Sequence, residues 1–469
     1  MLNFMPGSIS KRSIVTLLLV LPGVLEAQAP VPTPKVTGPI AATAQPGDPS
    51  HNYPYGATKA DLARYGYRED EFFIEGLTNE YRTDGIKTAV IVSGPYAYKA
   101  RVIVRRPISA AKFNGTVILE WSNSVVGFYQ ENDWYWSHEH LMRAGYAYIG
   151  VASQARGIES AYGLKAFNPQ RYASLDTDAG GKFRGNALAL AFDIYSQAAQ
   201  AAKQSQTTRL LGDLKVRNVI ATGHSLPHLY PYYNGIQPLA RVIDGFVIHG
   251  ATGQAVRTDL KTPVFRLFSE LEVVQNALDL PDRDYLRTWE VAGAAHADRD
   301  LIDALDAVLE RDLPQFAGNE ACDKPPMSRI PARMVQHAAY DSMKVWIEKG
   351  KQPPGAPKIQ VSPAPREGER RVIARDTNGN ALGGIRLAQF AVPVATDTGE
   401  NSGGQFCNIY GSHVPFDQMK LDRLYPSHAA YVAAVEKITE SNLKAGFITK
   451  EDAEQTVREA QQSKIGKGQ

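Results

Sequence analysis

The sequence is short of the features that mark several classes of protein. It has two cysteines in 469 residues, no run of basic residues and no internal repeat, and its 51 basic and 49 acidic residues leave a formal net charge of +2. Without a basic patch or tail, nucleic acid is a poor partner. Two cysteines without neighbouring histidines also lack the ligand count of a metal site. Nothing in the sequence implies an organic cofactor.

Beyond its first 29 residues the chain has no segment that is long and apolar enough to cross a membrane. Residues 1–29 have the layout of a secretory signal peptide: Lys11 and Arg12 come first, the short apolar run Ser13–Leu21 follows, and small residues end at Ala29. We therefore expect a secreted protein, periplasmic or extracellular, without stable membrane insertion after cleavage. An uncleaved membrane anchor is the alternative for the same residues.

Export bears on the two cysteines, Cys322 and Cys407. In an oxidising compartment a single pair is most simply a disulfide, which here would close a long loop and tie down the C-terminal region. Two separate buried thiols are the alternative.

The composition is that of a globular protein, 43% hydrophobic and 21% charged, with ample material for a large core. Residues 30–54 are rich in Pro, Ala, Thr and Gly and predict an extended linker. Residues 55–314 carry the pattern of a folded core. Residues 315–469 have a different sequence pattern, and we expect them to form a C-terminal segment that packs on the core as a cap.

Short apolar segments alternate with helical segments through the core. Many are rich in β-branched residues and predict strands buried on both faces of a sheet, and Thr88–Val92 and Tyr98–Pro107 predict an opening antiparallel pair. The pattern therefore predicts an α/β fold with a mainly parallel central sheet flanked by helices. The remaining predicted strands are Gly115–Trp121, Gly145–Ser153, Val216–Gly223, Gly245–Gly250, Pro263–Ser269 and Arg287–Gly293, and the predicted helices include Trp136–Ala144, Asn186–Ala202, Arg299–Glu310, Arg333–Gly350 and a terminal helix from Glu451.

Polar side chains follow three of the predicted strands, in the order Ser225, then Glu270 and Glu272, then His296. A serine hydroxyl needs an imidazole to take its proton, and the imidazole needs a carboxylate to hold its tautomer. Loops at the carboxyl edge of a parallel sheet can bring such groups together, and the order serine, acid, histidine is that of the α/β-hydrolase triad. We predict Ser225 as nucleophile, His296 as general base and Glu272 as the acid, with Glu270 as the alternative acid.

An oxyanion hole needs two hydrogen-bond donors aimed at the developing charge. The backbone N–H of Leu226, directly after the nucleophile, is the first candidate. The second is expected from the loop that follows the strand "VILEW", where the Asn123 amide or a neighbouring backbone N–H could serve. His224, beside the nucleophile, is expected to shape the pocket.

These motifs resemble a large group of mostly bacterial α/β-hydrolase-domain proteins, and the resemblance spans nearly the whole chain after the signal peptide. The group implies an α/β-hydrolase fold with a C-terminal capping segment, and Ser225, His296 and either Glu272 or Glu270 as the triad of a hydrolase. The segments that carry the resemblance are "VILEWSN", "EHLMRAGYAYIGVASQARGI", "TPVFRLFSELEV", "RTWEVAGAAHAD", "RDTNGNALGGIRLAQFAVPVAT" and "FCNIYGSHVPFD".

The chain departs from the group's pattern at two places. The usual elbow is similar to G-x-S-Q-S-G, whereas "GHSLPHLYPYYNG" has Leu226 and Pro227 after the serine and is shorter by about two residues. Ser225 could therefore match the first or the second serine of the group. The loop after Asn123 reads "SVVGFYQ", where the group tends to be small and glycine-rich.

Three functions follow from these residues. The first is a secreted serine hydrolase that cleaves a small-molecule carboxylic ester through an acyl-serine intermediate. The second is a catalytically impaired relative that keeps the fold and binds a ligand. The third is an acyltransferase that uses the same triad with an acceptor other than water.

Overall fold

The structure is a computed structural model that describes residues 31–252, 255–275, 280–318, 321–362 and 371–467. The signal peptide predicted for residues 1–29 lies outside the described residues. Nine strands of the described chain form one mixed sheet: β1 (Lys35–Thr37), β2 (Tyr67–Arg82), β3 (Val90–Pro107), β4 (Thr116–Trp121), β5 (Ala147–Ala152), β6 (Asn218–His224), β7 (Gly245–His249), β8 (Val264–Phe268) and β9 (Leu286–Glu290).

The order of strands across the sheet is β1-β2-β3-β5-β4-β6-β7-β8-β9. From β5 to β9 neighbouring strands are parallel, whereas β1, β2 and β3 join antiparallel at one edge. The predicted parallel sheet is thus confirmed, with its six predicted strands as β4 to β9. Because parallel strands share their carboxyl edge, the loops after β4, β6, β8 and β9 all open on the same side.

The opening antiparallel pair was predicted wrongly. Thr88–Val92 and Tyr98–Pro107 fall almost wholly within one strand, β3, which pairs along its length with β2. The acidic side chains of β2 hide its apolar pattern in the sequence. Inside the protein they are neutralised across the ladder, as where Arg101 Nε of β3 donates to Glu71 Oε1 over 2.5 Å.

Helices cover both faces of the sheet. Alternate residues of β6 face opposite ways, so that Val219 and Ala221 join one apolar cluster and Ile220 joins the other. The helices are α1 (Leu62–Tyr65), α2 (Asn132–Arg143), α3 (Arg156–Glu159), α4 (Leu164–Phe167), α5 (Pro169–Tyr172), α6 (Ala191–Lys203), α7 (Ser205–Thr208), α8 (Leu229–Pro231), α9 (Gln237–Ala240), α10 (Glu270–Val274), α11 (Arg299–Asp312), α12 (Ala332–Lys349), α13 (Ala388–Ala391), α14 (Cys407–Tyr410), α15 (Gln418–Leu424), α16 (His428–Ala445) and α17 (Lys450–Gln462).

The two apolar clusters show on which face of the sheet each of the longer helices packs. The cluster of Val219 contains apolar residues of α6, and the cluster of Ile220 contains those of α2, α11 and α12. A π-helical turn, Tyr232–Ile236, links α8 to α9, and 3-10 turns lie at Ala110–Lys112 and Pro314–Phe316. None of the described helices combines the length and the apolar composition needed to cross a bilayer.

The described part of the C-terminal segment packs beside the loop that follows β9. The predicted disulfide between Cys322 and Cys407 is present, with a Cα–Cα distance of 5.6 Å. Close to it, the Ile409 carbonyl accepts the Ala297 backbone N–H over 2.9 Å, next to the predicted catalytic histidine. Four short strands complete this segment in two small antiparallel sheets: β10 (Val361–Ser362) with β11 (Val372–Ile373), and β12 (Ala395–Thr398) with β13 (Ser412–Pro415).

The residues predicted as a linker, 30–54, differ from that expectation from residue 31 onward. β1 lies within this stretch and pairs with β2, and Tyr53 is fully buried. The His51 ring stacks on Phe167 with 4.2 Å between ring centroids. A segment rich in proline can thus pack through a few aromatic side chains without the periodicity that marks a helix or strand.

Candidate active site

Ser225 is the first residue after β6 and occupies a sharp turn at the carboxyl edge of the sheet. Its φ angle of 61° lies in the left-handed region, which residues with a side chain rarely adopt. Its backbone N–H donates to the carbonyl of His249, the last residue of neighbouring β7, over 2.9 Å. A strained strand-to-helix turn with a serine at its tip has the geometry of a nucleophile elbow.

The turn before the next helix accommodates the bulky residues after Ser225. The Leu229 N–H donates to the Leu226 carbonyl over 3.2 Å, so Pro227 is the second residue of this turn, where the fixed φ of proline is favoured. Leu226 is buried, and a Cβ on Gly223 would lie 2.8 Å from its Cδ1. The turn therefore tolerates Pro227 in place of the expected glycine, and the crowded glycine lies before the serine, at Gly223.

Glu272 contacts His296. His296 Nδ1 lies 2.6 Å from Glu272 Oε1, and Oε2 of the same carboxylate accepts the Ser269 N–H over 2.7 Å and the Ser269 hydroxyl over 2.6 Å. Burial alone would raise the pKa of Glu272, but the nearby His296 and the Ser269 hydrogen bonds outweigh it and lower this pKa to about 2. Glu272 is therefore a buried, ionised carboxylate aimed at the imidazole.

Glu270, the alternative acid, is used elsewhere. Its Oε1 accepts the Gly293 N–H over 2.8 Å, and its Oε2 accepts the Gly399 N–H over 3.0 Å and Arg375 Nη2 over 2.9 Å. Burial raises the pKa of Glu270, although Arg375 and the two N–H groups oppose this. Glu270 thus ties the loop after β9 to the C-terminal segment, and the geometry favours Glu272 as the partner of His296.

His296 lies in a loop of small residues, Gly293–Asp298, that follows β9. The Ser328 hydroxyl donates to the Gly293 carbonyl over 2.6 Å at the start of this loop. At its end, the Asp298 carboxylate accepts the Trp136 indole N–H over 2.7 Å and the Leu301 N–H over 3.0 Å, which caps α11. The histidine loop is therefore anchored at both ends, and His296 itself is 8% exposed.

The structure joins two of the three predicted triad members directly. Within the described residues, Ser225 Oγ makes no hydrogen bond, to His296 or to any other group. His224, the residue before Ser225, brings the elbow next to His296: the ring centroids of His224 and His296 lie 4.3 Å apart. Hydrogen bonds to a nucleophile are often long or poorly aligned before substrate binds.

The predicted oxyanion donors differ in their availability. The Leu226 backbone N–H donates to no group in the described part of the chain. The Asn123 backbone N–H donates to the Gln130 carbonyl over 2.9 Å, and its amide Nδ2 donates to the His224 carbonyl over 3.2 Å while Oδ1 accepts the Val125 N–H over 2.8 Å. Asn123 thus clamps its loop to the elbow, with one amide hydrogen left over.

Two neighbours of the site were missed from the sequence. Ser269 forms a capping box with Glu272, and the spacing Ser-x-x-Glu in "SELE" is a signal that could have separated Glu272 from Glu270. His249 lies beside His224, with ring centroids 4.9 Å apart, and no motif marks it. In the described residues no group of three or more His, Cys, Asp and Glu side chains is arranged to hold a metal ion.

The model of the alpha/beta hydrolase domain family matches residues 36–458, and the chain belongs to this family. Among solved structures, the chain is similar to a ferulic acid esterase from Streptomyces cinnamoneus, with 12% sequence identity over 64% of this chain and 94% of that one and a TM-score of 0.32. None of the curated protein sequences matches this chain.

Two further solved structures are similar at the same low level. XC6422 from Xanthomonas campestris, described as a member of the a/b serine hydrolases without a lid, shares 12% identity over 52% of this chain and 97% of its own, with a TM-score of 0.28. An esterase from the fungus Rhizomucor miehei shares 10% identity over 60% of this chain and 97% of its own, with a TM-score of 0.29. Identities this low carry no information on the substrate.

Proposed function

We propose that the protein is an exported serine hydrolase that cleaves small carboxylic esters through an acyl-serine intermediate. The observation that carries the proposal is the 2.6 Å contact between His296 Nδ1 and Glu272 Oε1, at the edge of the sheet where Ser225 occupies a left-handed turn. A carboxylate that accepts from Nδ1 leaves the lone pair on Nε2, the tautomer that can take a proton from a serine hydroxyl.

In the first half of the proposed reaction, Ser225 Oγ attacks the ester carbonyl and passes its proton to His296 Nε2. Glu272 stabilises the imidazolium that forms, and its low pKa keeps it ionised while His296 is charged. The Leu226 N–H and a donor of the Asn123 loop stabilise the oxyanion. His296 then gives the proton to the departing alkoxide, leaving an acyl group on Ser225.

In the second half a water molecule takes the place of the alcohol. His296 Nε2 removes its proton, hydroxide adds to the acyl carbon, and the same donors hold the second oxyanion. Collapse returns the proton to Ser225 Oγ and releases the carboxylic acid. If an alcohol enters instead of water, the same residues perform acyl transfer, which is the related activity considered from the sequence.

Export is part of the proposal. Cys322 and Cys407 form a disulfide, a bond that persists in oxidising compartments and is rare in the cytosol. With the signal-like residues 1–29, this supports a periplasmic or extracellular protein.

One observation favours a second candidate, a member of the family that binds a ligand without cleaving it. Ser225 Oγ makes no hydrogen bond in the described residues, whereas a fully assembled nucleophile is paired with its base. The two candidates share the fold and the site residues, and they differ in whether Ser225 reacts.

Hydrolysis of a series of p-nitrophenyl esters of increasing acyl length separates the candidates. Wild-type protein is expected to turn over at least one ester. Ser225→Ala should lose at least about 1,000-fold in kcat, because loss of a triad serine costs up to about a million-fold, and the exposed-serine control Ser50→Ala should match wild type. Adding methanol as an alternative acceptor measures acyl transfer. Absence of turnover at every chain length would exclude the esterase and leave the binding protein.

A further inference from the structure

We infer that His224, the residue before the nucleophile, is a positioning residue that holds the imidazole of His296 through ring contact, an inference that rests on the proposed function. Nothing in the triad chemistry requires a histidine at this position. The inference comes from the packing around this side chain, which is almost completely buried between the elbow and the start of α2.

The two imidazoles are in contact. The ring centroids of His224 and His296 are 4.3 Å apart at an interplanar angle of 42°. Glu272 holds His296 at Nδ1, which leaves the ring free to swing about that single hydrogen bond. Contact with a second ring removes this freedom, so His224 supplies the constraint that Glu272 does not.

The backbone makes room for this contact. A Cβ on Gly250 would lie 2.9 Å from His224 Nε2 and 3.0 Å from His296 Cε1, both shorter than ordinary contacts. Gly250 has a φ angle of 61°, which also favours glycine. A side chain at position 250 would occupy the place where the two rings meet.

His224 is itself fixed from three sides. The Trp136 ring meets it edge-on with 4.7 Å between centroids, and the His249 ring lies 4.9 Å away. Asn132 Nδ2 donates to His224 Nδ1 over 3.1 Å. Asn132 begins α2, and the buried carboxylate of Glu120 accepts two backbone N–H groups of that first turn over 3.1 Å each.

The same contacts keep His224 uncharged. His224 Nδ1 pairs with the Asn132 amide, and the buried His224 Nε2 has no hydrogen-bond partner among the described residues. Burial, together with the neighbouring rings of His296 and His249, holds the pKa of His224 well below its usual range. The Asp133 carboxylate of α2 lies 3.9 Å from Nδ1 of the neighbouring His249. A neutral ring can contact His296 without repelling the imidazolium that forms during catalysis.

Three variants test the role. His224→Asn keeps an acceptor for Asn132 and removes the ring, whereas His224→Phe keeps a ring and removes the nitrogens. His228→Phe is the matched control, because His228 lies four residues further on and its ring contacts that of Trp121 at a tilt, with 4.7 Å between centroids. We expect His224→Asn to lose at least tenfold in kcat with KM within twofold, His224→Phe to stay within threefold of wild type, and the control to match wild type.

A readout without ester keeps the inference separate from the proposed function. In protein labelled with 15N-histidine, the low-field NMR signal of His296 Nδ1–H reports the bond to Glu272. His224→Asn should broaden or remove this signal and His224→Phe should retain it. If His224→Asn does not fold, Gly250→Ala, which crowds the same two rings, should broaden the signal too.

Two results would overturn the inference. Either His224→Asn keeps wild-type kcat and the wild-type signal, or the Asn and Phe variants lose both to the same extent, which would mean that the ring contact has no role. If the wild-type protein hydrolyses no ester while His224→Asn loses the NMR signal and His224→Phe keeps it, the proposed function is contradicted and the positioning role stands.

Discussion

Glu272 binds His296 with one carboxylate oxygen and the start of its own helix with the other. Oε1 lies 2.6 Å from His296 Nδ1, and Oε2 accepts both the N–H and the hydroxyl of Ser269. The Ser269 hydrogen bonds therefore fix the orientation of the carboxylate that contacts the imidazole. This arrangement separates Glu272 from Glu270, two residues away, and it leads to the first prediction.

Glu272→Gln should lower kcat by about 100-fold or more, because a neutral amide neither stabilises the imidazolium nor enforces the tautomer. Glu270→Gln should lower kcat less than tenfold and mainly reduce stability, since Glu270 binds Arg375 and two backbone N–H groups. Steady-state kinetics and thermal melting of both variants check this. The reverse ranking of kcat would make Glu270 the catalytic acid.

The ionisation of Glu272 should appear in the pH dependence of stability. Its pKa is lowered from the ordinary 4.5 to about 2 in the folded protein. The unfolded chain therefore binds more protons between these values, and the stabilisation is complete above pH 4.5 and lost as pH falls towards 2. Denaturant unfolding of wild type and Glu272→Gln should differ most above pH 5, with about 3 kcal/mol of the difference vanishing on acidification. A difference that grows below pH 4 would contradict the assignment.

Asn123 should matter because it clamps the oxyanion loop to the elbow. Asn123→Ala removes the bonds to the His224 carbonyl and the Val125 N–H, and kcat should fall about 10- to 100-fold with little change in KM. Val125→Ala is the control from the same loop, because its side chain is 58% exposed, and it should stay within twofold of wild type. Equal kcat values for both variants would show that Asn123 has no role in catalysis.

The disulfide should stabilise the fold and the histidine loop together. Cys322 and Cys407 are separated by 85 positions, for which loop-closure entropy gives about 4–5 kcal/mol. The double variant Cys322→Ser, Cys407→Ser should melt at a lower temperature and lose activity before global unfolding, because Ile409 beside the bridge accepts the Ala297 N–H. Maleimide labelling of unreduced, denatured wild type should modify neither cysteine. Labelling of both would show that the bridge is not formed.

The parts of the fold that follow from apolar patterning could be predicted from the sequence. Strands β4 to β8 are rich in apolar residues because they are buried on both faces. The meeting of polar residues at the strand ends follows from parallel topology. The disulfide could be predicted because the sequence has a single pair of cysteines and residues 1–29 led us to expect export, so that each cysteine had one possible partner.

The parts of the fold and site that depend on side-chain contacts between residues far apart in the sequence could not be predicted. β2 was missed because Glu69 and Glu71 interrupt its apolar alternation, and only the fold brings Arg105 and Arg101 to them. The contact between His224 and His296 joins residues 72 positions apart in the chain, and neither residue has a neighbouring motif that marks the contact.

The central claim is that Ser225 is a nucleophile activated by His296, and covalent labelling tests it most directly. Wild-type protein is treated with a fluorophosphonate, digested and mapped by mass spectrometry, beside Ser225→Ala, His296→Gln and heat-denatured wild type. The account predicts a single stoichiometric adduct on Ser225, absent from Ser225→Ala and from denatured protein and slowed at least 100-fold in His296→Gln, as expected when a triad base is lost. An adduct on another residue, or folded wild-type protein that stays unlabelled, would contradict it.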